Sequence, residues 1–410
     1  MELFTFIAKF ALFITTGFLI PSMATSIGIN YGQIANNLPS PQHTVPLIKS
    51  IGATKIKLYD ADPKLLKAFA NTGVELTVAL GNEHLSKMTD PDNALAWVKS
   101  NVQTYLPATK ITSIVIGNEV LTLNDTSLAA CLLPAMQSIH TSLVTLNLNN
   151  QVTVTTPHSV AMLQTSYPPS SGTFRSDLKT KIVPVLDFLS ASCSPFLINA
   201  YPFFAYKANP KHVSLNYVLF ESNAGVVDPV NNLRYDNMLF AQIDAVYAAL
   251  GRLGYKEMKV EVSETGWPSK GDGDEIGASM ENAKKYNGNL LKIVGEKRGT
   301  PARPESDLKV FVFGLFNENL KPGPTSERNY GLFRPDGTPV YGLGFFGGGP
   351  TTSVGSNGVG PSVFLSPPVN SSSGYLDISS SSGKLWSYRI NLGMGLKLML
   401  VTMVFDILLG

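Results

Sequence analysis

The chain has 410 residues, with 32 Lys plus Arg against 30 Asp plus Glu and a formal net charge of +2. Near-neutrality without a basic run excludes partners recognised through a phosphate backbone or an anionic surface. Charged residues are only 15% of the chain while Phe (21) and Tyr (15) are plentiful, a balance suited to a neutral polymer read on aromatic faces.

The first element is apolar. Residues 1–20 carry Lys9 as their sole basic side chain, and small residues follow at Ser22 and Ala24, or Ala24 and Ser26, so residues 1–26 read as a cleaved signal peptide. A membrane anchor is the competing reading, disfavoured because the cleavage-type site follows at once.

From residue 27 to 347 one theme repeats: a short apolar or β-branched run, then a longer amphipathic stretch. Strands are expected over 27–31, 55–60, 75–81, 111–119, 151–156, 195–201, 259–264 and 309–316. Helical spacing runs through 64–71, 94–105, 128–146, 182–191, 237–253 and 278–298, with Gly73, Gly254 and Gly299 at stop positions. Eight such units with nearly continuous apolar strands point to a closed (β/α)8 barrel, a size that one domain accommodates. Periodicity alone leaves an open doubly wound sheet as the alternative.

Barrel chemistry sits where strands end. The residues there are Tyr31, Tyr59, Asp60, Asn118, Glu119, His158, Tyr201, Glu264, Phe316, Asn317 and Glu318. Carboxylates and rings dominate, no His or Cys cluster has metal-ligand spacing, and neither a metal nor a cofactor is expected. Glu119 and Glu264 end strands four and seven, which face one another across a barrel. Two such carboxyls are what glycosidic cleavage needs: one donates a proton to the departing oxygen, the other meets the anomeric carbon. His158, without partners at useful spacing, reads as a structural imidazole.

The flanks carry a resemblance. Ile27-Gly28-Ile29-Asn30-Tyr31-Gly32, Ile116-Gly117-Asn118-Glu119-Val120, Asn199-Ala200-Tyr201-Pro202-Phe203-Phe204-Ala205-Tyr206, Glu264-Thr265-Gly266-Trp267-Pro268-Ser269 and Phe316-Asn317-Glu318-Asn319-Leu320-Lys321 resemble, in order and spacing over 27–346, glycoside hydrolase family 17, the plant β-1,3-glucanases. The resemblance implies a clan-A TIM barrel with Glu119 as acid/base and Glu264 as nucleophile, supported by Glu318, Lys321 and Glu327. It implies retaining endo-hydrolysis of 1,3-β-glucan by a monomer. A non-catalytic glucan-binding wall protein and a glucan-remodelling transglycosylase remain alternatives.

Each group then has an expected task. Glu119 must hold a proton, so burial and the charge of Glu264 should raise its pKa. Lys321 is the expected cation keeping Glu264 or Glu318 ionised, and Asn118 the expected donor to a sugar hydroxyl. Tyr31, Tyr201 and Trp267 are expected to offer rings to sugars, Trp267 above all, while Phe203 reads equally as core.

Asn124 and Asn370 open N-glycosylation sequences. A Ser/Gly-rich linker over 348–383 leads to a polar spacer and an apolar tail, so 384–410 reads as a glycosylphosphatidylinositol signal with Ser381 as the attachment site. This places the mature protein on the extracellular face of the plasma membrane, beside the cell wall. A spanning helix is the competing reading, burdened by Lys397 and Asp406 within it. Two cysteines, Cys131 and Cys193, permit at most one bridge, and a buried free thiol at Cys131 is equally compatible with the pattern.

Overall fold

The computed structural model describes residues 27–342. The expected signal segment, linker and tail, with Asn370 and Ser381, lie outside the described residues.

Every expected strand forms, most of them trimmed: β1 (Gly28–Tyr31), β2 (Lys55–Leu58), β3 (Glu75–Leu80), β4 (Lys110–Ile116), β5 (Thr153–Thr155), β6 (Pro157–Ser159), β7 (Phe196–Asn199), β8 (Val260–Thr265) and β9 (Val310–Val312). They form one sheet in the order β5-β4-β3-β2-β1-β9-β8-β7-β6, with every neighbouring pair parallel. Its two outermost strands, β5 and β6, are consecutive in the chain and separated by Thr156 alone, so the sheet closes on itself. The fifth strand was expected as one run over 151–156. It forms as β5 within that range and is followed beyond it by β6, set off at Pro157 because proline has no N–H for the ladder and disturbs the residue before it. β5 pairs with β4 and β6 with β7.

Alternation along each strand sorts side chains between two environments. In β2, Ile56 and Leu58 join the large core between strands and helices, as do Leu76, Val78 and Leu80 of β3 and Ile114 and Ile116 of β4. Each such side chain contributes about 1.5–3 kcal/mol by leaving water. The intervening residues point into the lumen, where Ala79, Val115 and Leu197 make a small separate apolar cluster. Polar side chains bond to one another and to the backbone beside it. Asn30 Nδ2 donates to Ser263 O at 3.0 Å, Ser263 Oγ donates to Asn199 Oδ1, and Thr155 Oγ1 donates to Pro195 O at 2.7 Å. Gly28 is required here, since any Cβ would run into the Phe311 ring.

Outside the strands lie α1 (Pro41–Ser50), α2 (Pro63–Ala68), α3 (Pro91–Asn101), α4 (Thr126–Thr145), α5 (Lys179–Ala191), α6 (Pro202–Ala208), α7 (Met238–Arg252) and α8 (Met280–Gly295). Asp62, Asp90, Asp125, Asn237 and Ser279 cap α2, α3, α4, α7 and α8 through their side chains, each worth ~1 kcal/mol. Neither α1 nor α6 stood out in the sequence. Both begin with a proline, which opens a helix at its first turn but reads as a breaker elsewhere. Cys131 is half-buried, Cys193 is exposed and both are free.

Candidate active site

Glu119 does not lie on β4 as expected. The strand stops at Ile116 because Gly117 (φ 65°) and Glu119 (φ 53°) adopt left-handed backbone, which costs a non-glycine residue about 1–3 kcal/mol. Surrounding hydrogen bonds hold the conformation. Gly117 N donates to Leu80 O at 2.8 Å, Asn118 N to Asn82 Oδ1 at 2.7 Å, and Glu119 N to Pro157 O at 3.0 Å. Asn82 Nδ2 returns a bond to Asn118 O at 3.1 Å. The turn directs the carboxylate to the mouth, where Asn199 Nδ2 donates to Oε1 at 2.9 Å.

Glu264 arrives from β8, where the register against β7 shifts between Val262 and Glu264. Such an irregularity re-aims side chains next to active sites. Lys57 Nζ and the Tyr59 hydroxyl donate to Oε1 at 2.9 and 2.8 Å, and the Tyr201 hydroxyl donates to Oε2 at 3.0 Å. Only 7% of Glu264 and 1% of Lys57 is exposed.

The two carboxyls are pushed apart electrostatically. For Glu119, burial and then the charge of Glu264 outweigh the Asn199 bond and the more distant Lys57, raising its pKa to about 7. Burial acts on Glu264 in the same upward direction. There the Lys57 charge and hydrogen bond, the Tyr59 bond and the charge of Lys321 together prevail, and its pKa falls below the usual value. Near neutral pH one carboxyl can hold a proton beside another that is ionised, the arrangement by which one site supplies an acid and a nucleophile together.

The remaining expected residues divide. Tyr201 is present, with its hydroxyl on Glu264 and its ring against Phe313, Phe204 and Tyr330. Asn118 is fixed through its backbone by Asn82, with Oδ1 at 3.5 Å from Asn199 Nδ2. Glu318 accepts from Ile34 N at 2.7 Å, and a Cβ on Gly32 would stand 2.5 Å from its carboxylate. Burial raises the pKa of Glu318 against the opposing charge of Lys321. Lys321 pairs with Glu327 at 3.3 Å and lies 4.0 Å from the centre of the Phe313 ring.

Two expectations are corrected. Trp267, expected on the substrate, is 0% exposed, packed edge-on to Phe203 and tilted against Tyr206 and Tyr286, with its indole N–H donating to Gly277 O at 2.8 Å. The Glu264 strand carries it on past the mouth into the core. Tyr31, also expected as a sugar platform, is 2% exposed, edge-on to Phe316 and 3.3 Å from Thr44 Oγ1. Odd positions of β1 face the helices, which is where alternation sends it. The cation in contact with Glu264 is Lys57, while the charge of Lys321 also favours the ionised form of both Glu264 and Glu318. His158 is buried and stacked on Phe196, and burial holds its pKa down at about 3, so its imidazole is neutral.

Lys57 and Asn199 escaped the sequence reading. The run Lys55-Ile56-Lys57-Leu58 alternates like a strand with one wet face, and only closure of the barrel turns that face into a lumen. Asn199, in sequence, is only the opening residue of the Tyr201 motif.

A closed parallel barrel with one buried and one half-buried carboxyl of opposite protonation preference at its mouth defines a glycosidase-type site. Residues 27–345 match the family described as glycosyl hydrolases family 17. Glucan endo-1,3-beta-glucosidase 11 of Arabidopsis thaliana is 61% identical over 349 residues, covering 84% of this chain and 82% of that protein. Glucan endo-1,3-beta-glucosidase 10 of the same plant is 57% identical over 400 residues, 92% and 93% of the two chains. The structure of CJP38, a beta-1,3-glucanase and allergen of Cryptomeria japonica pollen, superposes with a TM-score of 0.75 at 39% identity, covering 78% of this chain and 98% of that one. The chain belongs to glycosyl hydrolase family 17.

Proposed function

We propose that the protein cleaves internal 1,3-β-glucosidic bonds of callose-like glucan with retention of configuration, Glu119 serving as acid/base and Glu264 as nucleophile. The observation that carries this reading is the opposed protonation of the pair, Glu119 raised to about 7 and Glu264 lowered. The substrate follows from relatives named glucan endo-1,3-beta-glucosidase that align over most of their length.

In the first step the Glu264 carboxylate attacks the anomeric carbon while Glu119 gives its proton to the departing glycosidic oxygen, leaving a covalent glycosyl ester. In the second, Glu119 takes a proton from water, the hydroxide oxygen bonds to the anomeric carbon, and Glu264 leaves as carboxylate. Tyr59, Tyr201 and Lys57 hold both oxygens of Glu264 in place throughout. Asn118, Glu318, Lys321 and Glu327 support the site without taking part in bond exchange.

The test is the stereochemistry of the first product from laminarin, followed by proton NMR. A β-anomer is expected, and an α-anomer would mean inversion and a different role for Glu264. Glu264→Gln should lose hydrolysis while still binding laminari-oligosaccharides; wild-type-like turnover would overturn its assignment.

The same reading places the mature enzyme outside the cell after removal of residues 1–26, tethered by lipid at Ser381 and carrying glycans at Asn124 and Asn370, on sequence grounds. Release by phosphatidylinositol-specific phospholipase C is expected. Recovery of residues 392–410 in the mature protein would replace the lipid by a spanning helix.

A further inference from the structure

A second group of carboxylates stands at the rim of the barrel, outside the chemistry just assigned. Glu275, in the loop between β8 and α8, is 3% exposed. Its Oε1 accepts from Lys207 Nζ at 3.1 Å and from Ser326 Oγ. Its Oε2 accepts from Ser326 N at 2.9 Å and Asp272 N at 3.1 Å. Asp272 in turn accepts from Thr325 N at 2.9 Å and from Thr325 Oγ1. Two carboxylates from one loop thus close on the start of the short turn Thr325–Arg328, and Lys207 of α6 joins them from the preceding unit.

That turn has two holds on Lys321. Glu327 Oε2 meets its ammonium at 3.3 Å, and Arg328 Nη1 donates to its carbonyl at 3.0 Å. Lys321 lies over the Phe313 ring, which also contacts Tyr59 and Tyr201, the two phenols bonded to Glu264.

We propose that Glu275 is a positioning residue: it fixes the Thr325–Arg328 turn and through it the place of the Lys321 ammonium over the Phe313 ring, which packs on the two phenols bonded to Glu264. This rests on Glu264 being the nucleophile. A carboxylate with four donors is not matched by an amide, whose NH2 must face either Lys207 or the two backbone N–H groups, so Glu275→Gln leaves donors opposed. The turn loosens and Lys321 moves off.

The consequence is readable because Lys321 acts on Glu264 by charge. The groups facing Glu264 are Lys57, Tyr59, Tyr201, Glu119, Glu318 and Lys321. Those facing Glu275 are Lys207, Asp272 and, more distantly, Tyr330. Displacing Lys321 removes one cation from the first set and none of the anions, so the ionisation of Glu264 moves up.

The experiment is the pH dependence of kcat/KM on laminarin for wild type, Glu275→Gln, Lys321→Met and the double variant. In Glu275→Gln the acid limb should rise by about half a pH unit. Lys321→Met should raise it at least as far, and the double variant should show no further rise. Asp272 is exposed, so Asp272→Asn loosens the same turn with the core intact and should produce a smaller rise if Glu275→Gln does not fold. An acid limb unmoved in both Glu275→Gln and Asp272→Asn would overturn the proposal and leave Glu275 purely structural. Additive rises in the double variant would overturn it too, since the effect would then bypass Lys321. A Glu264→Gln enzyme that retained turnover would instead remove the reading on which the proposal stands, a result independent of these shifts.

Discussion

Lys57 Nζ lies 2.9 Å from Glu264 Oε1 with both side chains shut away from water. A buried ion pair adds little net stability over well-packed apolar residues, because desolvating two charges offsets their attraction. Its effect is on protonation: where burial drives a carboxyl toward the neutral form, Lys57 is the foremost of the groups that keep Glu264 an anion.

Lys57→Met should therefore raise the acid limb of kcat/KM by about one pH unit or more, and Lys57→Arg should restore part of it. Unfolding by urea at pH 6 should show Lys57→Met weaker by about 3–5 kcal/mol, since an unpaired carboxylate stays behind. The sign follows from linkage. Glu264, lowered on folding, contributes stability above the ordinary carboxyl range, and this contribution is lost as pH falls through its folded value. The variant should lack that loss. A limb that stays put would assign the control of Glu264 to another group.

Glu119 works in the opposite sense. Its folded pKa of about 7 sets the basic limb of kcat/KM near pH 7, because turnover needs it protonated. Its contribution to stability is complete at pH values below the ordinary carboxyl range and disappears as pH rises toward 7. Glu119→Gln should thus gain stability relative to wild type between those limits, while glucan hydrolysis falls by about 10²–10⁴. Aryl glucosides with good leaving groups should be spared most of that loss in the first step. A basic limb that survives the substitution would transfer the acid role elsewhere.

Trp267 offers a test of burial against recognition. As a core side chain it should lose about 3–5 kcal/mol on truncation to Ala, with Trp267→Phe milder. Measured on the folded fraction, KM for laminarin should stay within about twofold of wild type, since no face of the ring reaches the groove. A large rise in KM with unchanged melting temperature would return it to the substrate.

Asn124 is exposed and immediately precedes Asp125, the cap of α4. A glycan on it would meet no core, so Asn124→Gln should shift unfolding by less than ~0.5 kcal/mol. Mass spectrometry of the secreted protein is expected to find the site occupied; a bare asparagine would remove the sugar from the approach to Glu119.

Much of the barrel was visible in the sequence because its strands are apolar on the helix side, and Leu76-Val78-Leu80 or Ile114-Ile116 announce themselves. Both carboxyls stand out because each closes an apolar, strand-like run in the sequence. What stayed hidden was the inner side. Lys57 and Asn199 look like solvated residues until closure turns their face inward, and Trp267 looks like a sugar platform until the chain beyond Glu264 is seen to dive into the core. The left-handed turn at Glu119 was also hidden, since Gly117 reads as a strand residue when its neighbours are Ile116 and Asn118.

The ring of strands has a seam at Thr156. There one strand serves β4 with its first half and β7 with its second, so the circular ladder of backbone bonds is passed from one side to the other within a single residue. Deuterium should enter the barrel first at this handover, ahead of the continuous pairing between β3 and β4. Pro157, on the far side of the seam, accepts the amide of Glu119. The proton donor of the site is therefore bonded to the backbone at the seam of the barrel, while its partner Glu264 is borne by a strand paired on both sides.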